Sequence, residues 1–293
     1  MRLSTVTTAS NSVHEAVTEA NKDDHGRQRT TADEDLDDEV VDERNAMAEV
    51  KLPSTFRKSY LVSVLFNAIN EGLFLEAQWT LVQAAHFVRQ TDFPVLVRRF
   101  LFDQLNPNPV IPSSDMIANA FPVIGGNIFI FNSAVATFYA PSDISGVSGM
   151  RREFIRATPS WRNGPARYDC VIVNTKPDAD SACGFEIARV FLFFSFLHGD
   201  QEYSCAFVQW YSFVGTERDE DTGYWMVEPD IRDDGTPHVA IIHIDCIVRA
   251  AHLMPVTRTA CFVDQEVTMH TSLNKYNVFY VNRFVDHHAF VSL

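Results

Sequence analysis

The chain has 293 residues, of which 46% are hydrophobic and 21% charged, and its formal net charge is −14. That apolar content, with 23 Phe, excludes global disorder, and the length is enough for a sizeable core in one long domain or two. The acidic balance disfavours wholesale wrapping by nucleic acid or an anionic membrane, because most of the surface repels both, but it leaves room for a local basic patch.

In chain order, the opening MRLSTVTTASN carries a charge with no apolar stretch behind it, so no secretory signal is expected. Residues 1–50 are poor in aromatics and contain 33-DEDLDDEVVDE-43, eight acids in eleven residues. Mutual repulsion and too little apolar surface to offset backbone entropy predict a disordered acidic tail. From Leu52 the texture changes. Pro53 and Ser54 suit a helix start, and Leu61, Val64, Leu65, Ala68 and Ile69 follow at helical spacing. A second helix is expected over 72–90, with Leu75, Trp79, Val82 and Phe87 on one stripe, and a third from Pro94 to just before Asn106-Pro107. His86, with no ligand type at i−4 or i+4, reads as structural or surface-exposed.

The helical region 51–106 then gives way to a linker over 107–126, stiffened by Pro107, Pro109 and Pro112. Met116 to Ser142 contains no charged side chain, yet Pro122, Gly125, Gly126 and Pro141 interrupt it. Buried strands are expected there rather than a membrane span, so no membrane partner is expected.

Residues 127–293 carry the pattern of a β-rich domain. A strand is expected over 127–139, a loop over 141–149, and further strands over 167–173, 186–197, 203–214, 224–229 and 237–248. Between them, separators rich in Asp and Gly supply turn geometries that β-branched and aromatic residues resist. Val190 to Leu197 shows no polar alternation, as befits a central strand covered on both faces. The expected fold class is therefore α+β: a disordered acidic tail, a short helical region, then a mostly antiparallel curled β-sheet or small barrel.

The candidate chemistry is sparse. Cys170, Cys183, Cys205, Cys246 and Cys261 form no C-x-x-C pair and are odd in number, which suits buried free thiols in a reducing compartment, cytoplasm or nucleus. On a regular strand His243 and Asp245 share a face, but no nucleophile is placed beside them, and a polar cross-strand pair is the simpler reading. Asp286, His287 and His288 are adjacent and cannot all converge without a loop, and a metal site there needs a further ligand such as His252 or His270. No P-loop is present in 146-GVSGMRRE-153. No metal site, cofactor or catalytic residue is assigned.

The strongest polar signal is 150-MRREFIRATPSWRNGPARYD-169, which gathers Arg151, Arg152, Arg156, Arg162 and Arg167 against Glu153 and Asp169. Guanidinium groups match phosphate oxygens bidentately, and Phe154, Trp161 or Tyr168 would stack on bases if exposed. Three readings stand side by side: pairing with the acidic loop Glu217, Asp219, Glu220 and Asp221, contact with nucleic acid, or contact with a protein partner.

Several blocks carry a resemblance: 98-RRFLFDQLNP-107, 131-FNSAVATFYAPSDISGVSGMRREFIRATPSWRNGPARYDCVIVNT-175, 218-RDEDTGYWMVEP-229, 243-HIDCIVRAAHLMPV-256 and 279-FYVNRFVDHHAF-290. Together they resemble the C-terminal region of fungal Plavaka-type transposase-like proteins of the Kyakuja, Dileera and Zisupton group, over roughly Arg98 to Leu293. In that group the catalytic acids lie upstream, in a nuclease core, so the resemblance assigns none of them to a residue here. It implies a non-catalytic accessory or protein-interaction domain of mobile-element origin with nuclear partners. The alternatives are a nucleic-acid-contacting domain using the arginines of 151–167 or, further off, a metal-dependent hydrolase. The order around 166-ARYDCVIV-173 and Ala188-Arg189-Val190 is also similar to bromo-adjacent homology modules, which bind chromatin proteins.

Overall fold

A computed structural model describes residues 78–107, 109–140, 150–174, 185–257, 267–286 and 289. The acidic tail, the expected first helix, the 141–149 loop, Cys183, Cys261, His287 and His288 lie outside the described residues.

The elements, in chain order, are β1 (Gln78–Trp79), α1 (Leu81–Phe87), α2 (Phe93–Leu105), β2 (Ile128–Phe131), β3 (Ser133–Tyr139), β4 (Met150–Thr158), β5 (Arg167–Tyr168), β6 (Cys170–Asn174), β7 (Phe185–His198), β8 (Gln201–Phe213), β9 (Trp225–Pro229), β10 (Val239–His243), β11 (Ile247–Ala251), β12 (Leu253–Pro255), α3 (Ser272–Lys275) and β13 (Phe279–Val281). The long hairpin β7–β8 is the spine. Its two-residue loop places Gly199 at φ +62, the left-handed first position that a tight hairpin turn reserves for glycine.

Both hairpin strands exchange neighbours along their length. The first half of β7 pairs with β6 and its end pairs with β2, while β8 pairs with β10 in its middle and β9 at its end. The main sheet therefore runs β1-β2-β7-β8-β9-β13-β12, with β6, β10 and β11 as branches, and every pair is antiparallel. A second sheet has the order β3-β4-β5.

The expected curled sheet or small barrel is corrected here: the sheet is open, with β1 and β12 ending it rather than pairing with each other. The physical reason lies in β7, which is buried at nearly every position on both faces. Layers on each side cover those faces, so closure is not needed to remove them from water.

One layer is helical. Phe93, Val97, Phe100 and Leu101 of α2 recur at helical spacing and bury against Leu192, Phe194 and Phe196 of β7 and Phe207 of β8. Phe93 is the centre of that contact, 5.4 Å from the Phe194 ring and 5.5 Å from the Phe207 ring. The other layer is the small sheet, where Ala134, Ala136, Ile155 and Ala157 meet Val171, Ala188, Val190, Phe193, Ala206 and Val208.

Two expected elements differ in detail. Of the single helix expected over 72–90, the described part from Gln78 is instead β1 followed by the short α1, which is capped at Thr80 because Thr80 and Gln83 cap each other reciprocally. Trp79 lies in β1 opposite Ile128, and Val82 is 62% exposed, so the buried positions of α1 are Ala84 and Ala85. The strand expected over 127–139 breaks at Asn132, sending β2 to the main sheet and β3 to the small one. The stretch after α2 is tied to that helix: Arg98 donates from Nε to the Pro122 carbonyl at 3.0 Å and from Nη2 to the Phe121 carbonyl at 2.6 Å. No helix among the described residues is long and apolar enough to cross a membrane.

Candidate functional site

The arginine-rich segment folds as β4, a hairpin turn and β5, with Ala157 opposite Tyr168 and Thr158 opposite Arg167. Strand alternation then sorts the arginines. Arg151 shares a face with Glu153, Ile155 and Ala157, and that face looks onto the main sheet. Arg152, Phe154 and Arg156 project from the other.

The turn is Trp161-Arg162-Asn163-Gly164, closed by a hydrogen bond from the Gly164 amide to the Trp161 carbonyl at 2.8 Å. Arg162 and Asn163 sit at φ 49 and 59, the mirror-image turn that matches strand twist. Asparagine tolerates this region, whereas arginine there is strained by about 1 kcal/mol or more. The strained residue lays its guanidinium 5.4 Å from the Trp161 ring centroid. Arg156 lies at 4.3 Å and Arg167 at 5.5 Å from the same centroid, and Arg156 is also 4.6 Å from the Phe154 ring.

Asp169 holds this assembly to the scaffold. Its Oδ2 accepts from the Arg156 amide at 2.8 Å, its Oδ1 accepts from Arg167 Nε at 2.9 Å, and its carbonyl accepts from the Val190 amide of β7. The Asp169 carboxylate thus meets the Arg167 guanidinium and the Arg156 backbone amide, while three guanidiniums lie around one indole. Arg152, Arg162 and Arg167 are exposed, while Arg156 is buried, and Arg152 has no hydrogen-bond or ion-pair partner among the described residues.

Of the five sequence-selected arginines, the fold therefore brings Arg156, Arg162 and Arg167 together, leaves Arg152 two positions along the strand from Phe154, and sends Arg151 elsewhere. Arg151 Nη1 lies 4.0 Å from Asp286. Within the acidic loop proposed as their partner, Asp219 accepts from the Thr222 amide and hydroxyl. Of the three aromatics, Phe154 and Trp161 carry the protein's own guanidiniums, and Tyr168 lies against Phe191 at 5.3 Å. Each of the three half-buried rings thus already has a contact within the molecule.

Arg151 borders a network that sequence reading missed. Arg249 of β11, whose side chain is 2% exposed, grips Asp286 through Nη1–Oδ1 at 2.9 Å and Nη2–Oδ2 at 2.7 Å. Its Nη2 also lies 3.5 Å from Glu153 Oε1, and its guanidinium is 4.7 Å from the Phe138 ring. Glu153 Oε2 accepts from the Ala250 amide at 3.1 Å, and Asp286 Oδ1 accepts from the Ala289 amide at 2.7 Å. The Arg249 hydrogen bond outweighs burial and holds the Asp286 carboxyl down at about 2. Burial pushes Glu153 up, and the nearby Arg249 charge only partly offsets it. The sole sequence signal was a lone arginine inside the apolar run 247-IVRAA-251.

The remaining candidates resolve locally. His243 ends β10 and Asp245 lies in a 3₁₀ turn over Ile244–Cys246, so the two meet through a cap rather than strand alternation. His243 Nδ1 is 3.3 Å from both the Asp245 amide and its Oδ2, accepting from the amide when unprotonated and facing the carboxylate when protonated. His252 Nδ1 contacts Asn282 Nδ2 at 3.1 Å, and Asp286 is committed to Arg249. Among the described residues no three His, Cys, Asp or Glu side chains stand together as a metal-holding group. Burial pushes the Cys170 thiol up to about 12 and raises Cys205 and Cys246 as well, the reverse of thiolate activation.

No protein-family model, no curated protein and no solved structure matches the chain.

Proposed function

We propose that the chain is a non-catalytic accessory or protein-interaction domain of mobile-element origin, and that its β4–β5 hairpin binds acidic groups of a protein partner. The observation that carries this reading is the convergence of Arg156, Arg162 and Arg167 on Trp161, with Arg162 held in a left-handed conformation. A strained, exposed cation is retained where its position matters more than its local stability. The ring fixes the guanidinium planes, so less rotamer freedom is lost when they bind carboxylates.

The same geometry favours acidic protein segments over single-stranded nucleic acid. Base stacking needs open ring faces, and each candidate ring already contacts one of the protein's own side chains, which a stacked base would have to displace or share.

The test is fluorescence anisotropy of the full chain with a labelled Glu/Asp-rich peptide and, separately, labelled single-stranded and duplex DNA. The expected result is salt-sensitive peptide binding weakened tenfold or more by R162E/R167E, about 1.4 kcal/mol or more. Peptide binding that is absent at low salt, or unchanged in the charge-reversal variant, overturns the reading. Tight binding of DNA alone replaces it with the nucleic-acid reading.

A further inference from the structure

The chain between α2 and β2 folds back along that helix as a strap. Ser113 Oγ donates to Asp103 Oδ2 at 3.0 Å, and the Phe121 and Pro122 carbonyls accept from Arg98. The Phe121 ring lies 5.8 Å from that of Phe102 and is buried, as is Ile124. Arg98 and Asp103 are five residues apart, about 7.5 Å of helix, so 113–122 is held against one short stretch of α2. The opposite side of the helix, with Phe93, Val97 and Leu101, packs on the main sheet.

Phe121 and Ile124 anchor the strap inward, and other apolar side chains turn outward. Val110, Ile117 and Val123 are each at least 74% exposed, and Ile111 is more than half exposed. Residues 109–124 carry a single charge, that of Asp115. An isolated exposed apolar residue is ordinary, but four of them on one anchored and nearly uncharged strap make a surface of the kind that marks an interaction site.

We propose that residues 53–71 of the same chain dock on this strap as an amphipathic helix, laying Leu61, Val64, Leu65, Ala68 and Ile69 against Ile111, Ile117 and Val123. A helix of that length is marginal alone in water and takes its stability from burying its apolar stripe. The stripe from Leu61 to Ile69 spans about 12 Å, a length matched to the strap that α2 holds. The connection also reaches. The chain enters the sheet at Gln78, whose partner Phe129 stands six residues after Val123, and those six residues span at most about 21 Å. From Ile69 to Gln78, nine residues on, the chain extends up to about 30 Å. A tether of this length makes docking intramolecular, at an effective concentration on the order of millimolar, which favours this segment over a second copy or a separate partner. The contact does not depend on the Trp161 hairpin.

The test replaces the exposed Ile117 by the photo-crosslinking residue p-benzoylphenylalanine in the full chain. The protein is irradiated at several micromolar-range concentrations and digested with trypsin and Glu-C, which together release Ser59–Glu71 as one peptide for mass spectrometry. The expected result is an intrachain crosslink to that peptide, with a yield that does not change with protein concentration and falls about fivefold or more in Leu61→Asp/Leu65→Asp. The same probe at the exposed Val123 carries the test if the Ile117 substitution perturbs the strap. Crosslinks between two chains, crosslinks confined to other segments, no crosslink from either position, or a yield unchanged in Leu61→Asp/Leu65→Asp overturns the proposal. R162E/R167E is expected to leave the yield unchanged, which keeps this result separate from that of the hairpin.

Discussion

Replacing Asp286 by Asn tests whether the Arg249 network anchors the C-terminal segment to the two sheets. The carboxyl falls from 3.8 in the unfolded reference to about 2 in the fold, a difference that corresponds to about 2.5 kcal/mol at neutral pH as an upper limit. The Asp286 side chain is 19% exposed, so solvent screening lowers the expected loss for Asp286→Asn to about 2 kcal/mol at pH 7. The sign follows from the depressed folded value: the stabilisation is complete above the unfolded value and is lost as pH falls through the folded one. About half of it survives at pH 3, and little remains at pH 2. Glu153 acts in the opposite direction, since its raised value makes acidification toward 4.5 favourable to the fold. Urea unfolding of both proteins at pH 7, 5 and 3 measures the gap. A gap under about 0.5 kcal/mol at pH 7, or one that does not narrow by pH 3, refutes the reasoning.

Phe93→Ala is expected to destabilise by about 3–5 kcal/mol, because it opens a cavity between α2 and the Phe194 and Phe207 rings, and urea midpoints check it. Arg162→Gly removes left-handed strain and an exposed cation–π contact of similar size, so stability is expected to stay within about 0.5 kcal/mol of the parent while acidic-peptide affinity falls. Cys170 and Cys205 are expected to resist iodoacetamide at pH 8 in the native protein and to react in urea, read by peptide mass spectrometry. Gly199→Val is expected to cost about 1–3 kcal/mol, since a β-branched residue is strained at φ +62, and thermal unfolding measures it.

The legible parts of the fold were those where one stretch of chain carries its own evidence. The apolar run in β7 has no alternation because layers cover both faces, and the run itself shows that. Helical spacing likewise marked Phe93, Val97, Phe100 and Leu101. Trp79 fits a helical stripe equally well, and only its pairing partner Ile128, about fifty residues on, makes it a strand residue. The alternation in Met150–Thr158 was obscured by its arginines, which read as a cationic stretch rather than as β4.

The candidate site divides the same way. Sequence alone determined that arginines and aromatics cluster between 150 and 169 and that the latter half is β-rich, since composition and short-range period report residue types and faces. Tertiary structure alone decided which arginine meets which ring or carboxylate, that Glu153, Arg249 and Asp286 form one network, that the buried Arg189 donates to the Tyr168 carbonyl and to Asn274, and that the sheet stays open. These depend on groups brought together from distant parts of the chain, and a charge's energy is set by its neighbours and their exclusion of water, neither of which local pattern encodes.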